Sequence, residues 1–474
     1  MSSLIHSTDG WDIQHFRSNK QIKKKFYLNY LSLIRTFGWR RKYFRSDKQI
    51  KKVFYLHYLS LIRTFAGMKR LFVYFVILLA AFITVSCHHH SDEPNKKKRE
   101  TVERTVIVYM AAENSLSRVC RYDSLEMVQG ISHVTEDYNL ILYKDDDKLP
   151  VIYQMSQKDG VQTWRSYTTD QTSTDSLVML STLKDIINEF PARHYGLVLW
   201  SHASGWVPAM EGSNRMANES GSNVRRRTFG VDNNQNVNTT NKGLEMEISA
   251  LRWTLEQLPH LDYILFDACF MQNIEVAYEL RNVADYLIGS PAEIPINGAP
   301  YAHIMEPMMK GDAIGIAEEY YQYYQSGTGI ALSVIDCLEM EAFARKTATC
   351  LPAIYNNGSE IDLTGIHNYV PFTSDYKWRP YAYDMKGFMH KHLDEDMYED
   401  WLQVLNRAVP FQKATSYWDS IFFGTHNRLS AAEDYSGIAM FLPDDIYERL
   451  TYNWNLYFKN TSWYKASGWN QVYW

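Results

Sequence analysis

Short apolar runs broken by polar turns recur through the middle of the chain. Residues 105–110 (TVIVYM), 138–143 (YNLILY), 196–200 (GLVLW), 263–266 (YILF), 286–290 (YLIGS) and 329–335 (GIALSVI) are such runs. Strands covered on both faces read this way, without the alternation of a half-exposed strand. Between them the apolar spacing changes to that of a helix. Residues 176–190 place Leu177, Leu180, Leu183, Ile186, Ile187 and Phe190 on one face, behind a cap at Asp175 or a nearby Ser or Thr. Residues 116–128, 244–258, 273–280, 313–324 and 339–351 read as further helices, and 151–155 with 163–167 as a hairpin. Alternating strands and helices predict an α/β fold, a mostly parallel central sheet flanked by helices. From about residue 352 a helical and irregular C-terminal region is expected to pack on that core. It carries one more strand in GIAMFL, residues 437–442.

Two of these strands end in reactive side chains. Residues 195–206 (YGLVLWSHASGW) carry His202 just past a strand, and residues 262–271 (DYILFDACFM) carry Cys269 in the same position. Taken alone, a strand-end Cys is a small core residue and a strand-end His a satisfied core group. Together they change meaning. The order strand–His, loop, helix, strand–Cys makes one βαβ unit, which sets the strands parallel with both carboxyl ends at one edge. Sites in open α/β sheets form at that edge. A Cys/His pair there makes a thiol nucleophile with a proton carrier, and backbone N–H groups at Cys269 and Ala203 could hold an oxyanion. A helix expected to start directly after Cys269 would favour the thiolate. Asp267, two residues earlier, faces the same side as Cys269.

Composition narrows the partners. The net charge of −5 comes without a sustained basic stripe in the main body, which argues against nucleic acid. The five cysteines (Cys87, Cys120, Cys269, Cys337 and Cys350) show no metal-finger spacing; a Cys337–Cys350 disulfide is compatible with the sequence. Asp145, Asp146 and Asp147 follow a strand and could bind calcium, or form a solvated turn.

The N-terminal part has its own logic. Residues 68–87 (MKRLFVYFVILLAAFITVSC) have a basic start, an apolar core and a terminal Cys. This resembles a bacterial lipoprotein signal, with residues 68–86 removed and Cys87 lipidated. Residues 87–103 read as a tether. Residues 16–37 and 44–65 are near-identical copies. A signal should begin a protein, so residues 1–67 are expected not to belong to the native chain; a basic amphipathic membrane-binding arm is the alternative.

YMAAENSL, LVLWSHASGW and DYILFDACFM, in that order, resemble the clostripain family of cysteine peptidases, of the same clan as caspases, legumains and gingipains. Residues 290–301 and 436–443 also look like family segments. The resemblance implies a caspase-like catalytic domain over residues 104–351, with 352–474 packed on it. It implies His202 as acid–base group, Cys269 as nucleophile and Ala203 with Cys269 as oxyanion donors, Ala203 standing where the family usually has Gly. It implies cleavage of proteins or peptides after Arg or Lys, with Asp267 as pocket acid and Glu293 in the place of a second one. Asp384 is a further candidate substrate contact. Arg225, Arg226 and Arg227 lie in the polar loop 207–242, where family members can be cleaved to activate. The expectation is a lipid-anchored, exported or surface-exposed endopeptidase of the cell envelope, monomeric, with no cofactor unless calcium. The alternative is a non-catalytic envelope lipoprotein of the same fold that binds peptides or glycans.

Overall fold

The apolar runs become the strands of one nine-stranded sheet. The computed structural model describes residues 99–135, 137–206, 229–233, 244–356, 361–370, 381–420, 427–430, 435–448 and 453–474. In chain order the elements are β1 (Val102–Ala111), α1 (Cys120–Ile131), β2 (Tyr138–Asp145), β3 (Val151–Ser156), β4 (Gly160–Ser166), α2 (Ser176–Glu189) and β5 (Ala192–Trp200). Next come β6 (Phe229–Asp232), β7 (Leu244–Met246), α3 (Ile248–Leu255), β8 (Leu261–Asp267), α4 (Ile274–Leu280) and β9 (Ala284–Gly289). Then follow α5 (Tyr301–Lys310), α6 (Ala313–Tyr324), β10 (Ala331–Asp336), α7 (Met340–Tyr355), β11 (Tyr383–Asp384), α8 (Met385–His392), α9 (Glu395–Ala408) and β12 (Phe411–Ala414).

The sheet order is β12-β10-β9-β8-β5-β1-β2-β3-β4. Neighbours from β9 to β2 run parallel; the pairs β9–β10, β10–β12, β2–β3 and β3–β4 are antiparallel. The mostly parallel sheet flanked by helices is therefore present, with antiparallel strands closing both edges. Side chains alternate between two cores. Val108, Met110, Leu142, Val198, Trp200 and Leu265 pack with α1, α5 and α6 on one face. Tyr109, Tyr143, Leu197, Leu199, Ile264 and Phe266 pack with α2, α3 and α4 on the other. Each such side chain, fully buried, contributes about 1.5–3 kcal/mol.

Gly196 shows how tightly the central strands are fitted. It lies opposite Tyr263 in the β5–β8 register, and a Cβ there would stand 2.4 Å from the Tyr263 ring. That ring reaches past Gly196 to donate its hydroxyl to the Met308 carbonyl at 3.0 Å.

Some elements differ from the sequence reading. Residues 116–119 form turns, and α1 begins only at Cys120. Residues 244–258 divide into β7, which pairs with β6, and the shorter α3. The expected strand at 437–442 shrinks to Ala439–Met440, which pairs with β11 outside the main sheet. Cys120, Cys269, Cys337 and Cys350 are all free, so no disulfide joins Cys337 to Cys350. No helix among the described residues is long and apolar enough to cross a membrane.

Candidate active site

The site grows from one register pair. Trp200, the last residue of β5, lies opposite Asp267, the last of β8. Ser201 N–H donates to the Asp267 carbonyl at 3.4 Å, continuing the pairing one step. His202 and Cys269 each follow two residues later, in the loops that leave these adjacent parallel strands. The two exit loops also lock together. Phe270 has φ 60°, the one positive value at a non-glycine among the described residues. That conformation costs about 1–2 kcal/mol and turns the chain sharply just after Cys269. The turn is held by Phe270 N–H on the Ala292 carbonyl at 2.9 Å and by Asn273 Nδ2 on the Phe270 carbonyl at 2.7 Å. Gly205, three residues past His202, nests against it with φ 75°. A Cβ at Gly205 would lie 2.4 Å from Asn273 Nδ2 and 2.8 Å from the Phe270 oxygen.

The His202 ring is approached from the β1 exit. Ser115 Oγ lies 2.7 Å from His202 Nε2. Asn114 fixes that exit by donating to the carbonyls of Ala111 at 2.9 Å and Val231 at 2.8 Å, and by accepting from Leu116 N–H at 2.8 Å. On the other side Gly230 N–H donates to the His202 carbonyl at 2.9 Å, and Ala203 bridges to Phe229. The setting of Cys269 is unlike the expected one. α4 starts at Ile274, five positions after Cys269, so no helix N-terminus faces the sulfur. Burial, then the charges of Glu293 and Asp267, push the Cys269 thiol up to about 12, against the N–H of Ile294. A standing thiolate at Cys269 is therefore disfavoured.

Comparison with known proteins agrees with this geometry. The family model of the clostripain family, Peptidase C11, matches residues 108–474. The chain belongs to the clostripain family. It is a cysteine-type peptidase, so its substrates are proteins or peptides. Among solved structures it is similar to a secreted C11 cysteine protease from Bacteroides thetaiotaomicron in complex with an irreversible peptide inhibitor. That match has 30% identity and a TM-score of 0.67, covering 78% of this chain and 100% of the other. It is also similar to an inactive zymogen C11 protease from Parabacteroides distasonis, at 27% identity and a TM-score of 0.64, covering 78% of this chain and 99% of the other. No curated protein matches the chain.

Within this clostripain-family site the other predicted residues fall into three groups. Asp267 and Glu293 lie close to Cys269, since both charges act on its thiol. Asp267 is almost wholly buried. It accepts from Ala299 N–H at 2.9 Å and from Tyr301 Oη at 2.8 Å, so it ties the loop 290–300 to β8 and caps nothing on α4. Asp123 on α1 is its acidic neighbour, held by Trp200 Nε1 at 2.7 Å. Burial raises both carboxyls, and the charge of Asp267 raises Asp123 further. Glu126, one turn on, faces the first N–H groups of α5 at Tyr301 and Ala302. Ala203 has no positive φ, so alanine fits its backbone without strain.

Asp384 is a correction. It is fully buried and cannot meet a substrate. It caps α8 through Gly387 N–H at 3.0 Å and accepts from Ser436 N–H and Oγ at 2.8 Å each and from Tyr369 Oη. The run Asp145, Asp146 and Asp147 is not one site either. Asp146 pairs with Lys144 at 2.7 Å, whereas Asp145 turns toward Glu113 and Asp232. Cys87 and Arg225, Arg226 and Arg227 lie outside the described residues.

Ser115, Gly205, Phe270, Asn273 and Asp123 were missed from sequence. Ser115 sits in YMAAENSL, a segment already singled out by resemblance. The Asp123 contact could not be seen, because α1 is distant in sequence from β5 and β8.

Proposed function

We propose that Cys269 is the nucleophile of an endopeptidase, with His202 carrying the proton. The observation behind this reading is that each residue follows two positions after the paired strand ends Trp200 and Asp267, with Gly205 seated on the Phe270–Asn273 turn. Sγ of Cys269 attacks the scissile carbonyl carbon while its proton passes to His202. Ser115 Oγ stands 2.7 Å from Nε2 of that ring. The tetrahedral oxyanion is met by the N–H groups of Ala203 and Cys269. Collapse breaks the C–N bond, His202 protonates the leaving amine, and a thioester remains. Water, giving its proton to His202, then releases the acid, and the proton returns to sulfur.

Preference for Arg or Lys at the residue before the cut belongs to this proposal. Its support is the concentration of carboxyls beside Cys269: Asp267 and Glu293, backed by Asp123 and Glu126. Activation by cleavage in loop 207–242, at Arg225, Arg226 or Arg227, is supported by the similarity to a zymogen. Export and lipid anchoring at Cys87 rest on the signal-like residues 68–87 and the similarity to a secreted protease. No cofactor enters the chemical steps, and the enzyme is proposed to act as a monomer.

A peptide library varied at the residue before the cut tests the reading, with Cys269→Ala as control. Cleavage after Arg and Lys that vanishes in the control is expected. Cleavage unaffected by Cys269→Ala would refute it.

A further inference from the structure

A cleft lies where the chain runs on from His202 and Cys269. Its volume is about 370 Å³, within the range of small-ligand sites. Trp206, four residues after His202, and Glu275, six after Cys269, both line it. Glu247 and Ile248 join them from the start of α3, Glu279 from α4, and Tyr457 from the C-terminal helix Trp454–Lys459. Rim and floor differ in exposure: Leu456 is 57% exposed and Glu275 only 1%. Trp206 is set against the rings of Phe441 and Phe458, with centroids 5.0 and 5.8 Å away. Phe441 N–H in turn donates to Glu275 Oε1 at 3.0 Å. Glu275 Oε2 accepts from no donor among the described residues. Burial raises this carboxyl to about 8, and what opposes the rise is two backbone N–H groups, those of Phe441 and of Glu275 itself. Glu279 meets Arg252 Nε at 2.9 Å, but Arg252 also serves Glu256 at 3.1 Å and does not line the cleft. The described lining thus holds three carboxyls and no basic side chain.

A buried carboxylate oxygen without a donor is costly, and a bound cation would relieve that cost. A bare metal ion leaves most of this volume and its apolar walls unused. An organic cation uses both, its charge at the carboxyls and its hydrocarbon stem along Ile248, Leu456 and the rings of Trp206 and Tyr457. We propose that this cleft binds an alkyl ammonium or guanidinium group, held at Glu275 and Glu279, as a site separate from the pocket of Asp267. Asp267 is tied to Tyr301 at the start of α5, whereas α4, which carries Glu275, packs on the opposite face of the sheet. Two sources carry such a group: a lysine or arginine side chain of a peptide, and a free alkyl amine. Use by a peptide substrate rests on the endopeptidase reading above; the binding itself does not.

The first arm of the test therefore needs no catalysis and uses the full chain carrying Cys269→Ala. It is titrated by calorimetry with n-butylguanidine and n-butylamine, with n-butanol as the uncharged control. The cations are expected to bind with Kd of about 10⁻⁴–10⁻³ M and butanol not to bind. Glu275→Gln keeps an acceptor for Phe441 N–H and is expected to weaken the cations at least ~10-fold. Should that variant not fold, Ser249→Lys is read in its place; at an exposed position lining the cleft, it supplies a tethered ammonium and is expected to abolish the binding. Absence of cation binding overturns the site, as does equal binding of butanol. Binding lost in Asp267→Asn but kept in Glu275→Gln belongs to the pocket beside Cys269 and also overturns it. A second arm, with intact Cys269, separates the sources. Peptides carry one Arg before the cut and a second basic residue at successive positions, protected by N-methylation of the bond after it. A gain in kcat/KM of about tenfold at one placement over the singly basic peptide, lost in Glu275→Gln, assigns the site to a substrate side chain. Equal kcat/KM at every placement, with binding in the first arm, assigns it to a free amine.

Discussion

Two groups of carboxyls stand at the same edge of the sheet, on opposite faces. Asp267, Asp123 and Glu126 lie on the side of α1 and α5; Glu113, Asp145 and Asp232 lie on the side of Tyr109 and Tyr143. Their surroundings differ in donors. Asp267 has Tyr301 Oη and Ala299 N–H, and Asp123 has the indole N–H of Trp200. Asp145 has none among the described residues. The first group is thus a finished polar network beside the thiol. In the second, burial and the acidic neighbours Asp232, Asp170 and Glu113 raise the Asp145 carboxyl. Proximity of carboxyls alone does not say what they do; the donors around them do.

Removing one acid from each group should separate them most sharply. Asp267→Ala strands the Tyr301 hydroxyl and the Ala299 N–H, and is expected to cost about 3 kcal/mol of folding stability. Asp145→Asn, measured in chelator, is expected to change stability by under about 1 kcal/mol, because it removes a carboxylate that had no donor. Urea unfolding with chelator measures both. Equal losses would erase the distinction.

Specificity sharpens the first group's role. Asp267→Asn keeps an acceptor for Tyr301 but loses the charge. The ratio of kcat/KM for Arg over Leu before the cut is expected to fall about 30-fold. An unchanged ratio would make Asp267 a purely internal tie. Ser115→Ala probes the contact with His202. It is expected to lower kcat about tenfold and stability by under about 1 kcal/mol. A loss confined to stability would remove Ser115 from the positioning of His202.

A pH dependence gives a further check. Asp123 is raised from the ordinary 3.8 to about 8 by burial and by Asp267. Between those values the folded chain holds a proton that the unfolded chain has lost, so Asp123 makes stability fall as pH rises through that window. Asp123→Asn should therefore gain stability over the parent at pH 8 and not at pH 4. Thermal melts across that range check the sign.

Much of this was legible in the chain. The runs TVIVYM, GLVLW and YILF declared strands because both faces are covered, and the strand-end positions of His202 and Cys269 followed from that. What stayed hidden depends on tertiary partners. GIAMFL read as a sheet strand, yet only Ala439 and Met440 pair, with β11. Residues 411–414 gave no comparable signal and still form the edge strand β12, because β10 offers them a free side. Asp384 read as a substrate contact, and its burial is possible only because Tyr369, Gly387 and Ser436 supply donors from elsewhere in the chain. The thiolate-favouring helix start failed because the Phe270 turn and Asn273 intervene before α4 begins.

The central claim is that Cys269 reacts through His202. Incubating the full chain with an irreversible peptidyl electrophile bearing Arg, then mapping the adduct by mass spectrometry, tests it most directly. The account predicts a single adduct on Cys269, absent in His202→Ala, with Cys120, Cys337 and Cys350 unmodified in their buried positions. An adduct on one of those three, or a Cys269 adduct that forms as fast in His202→Ala, would contradict it.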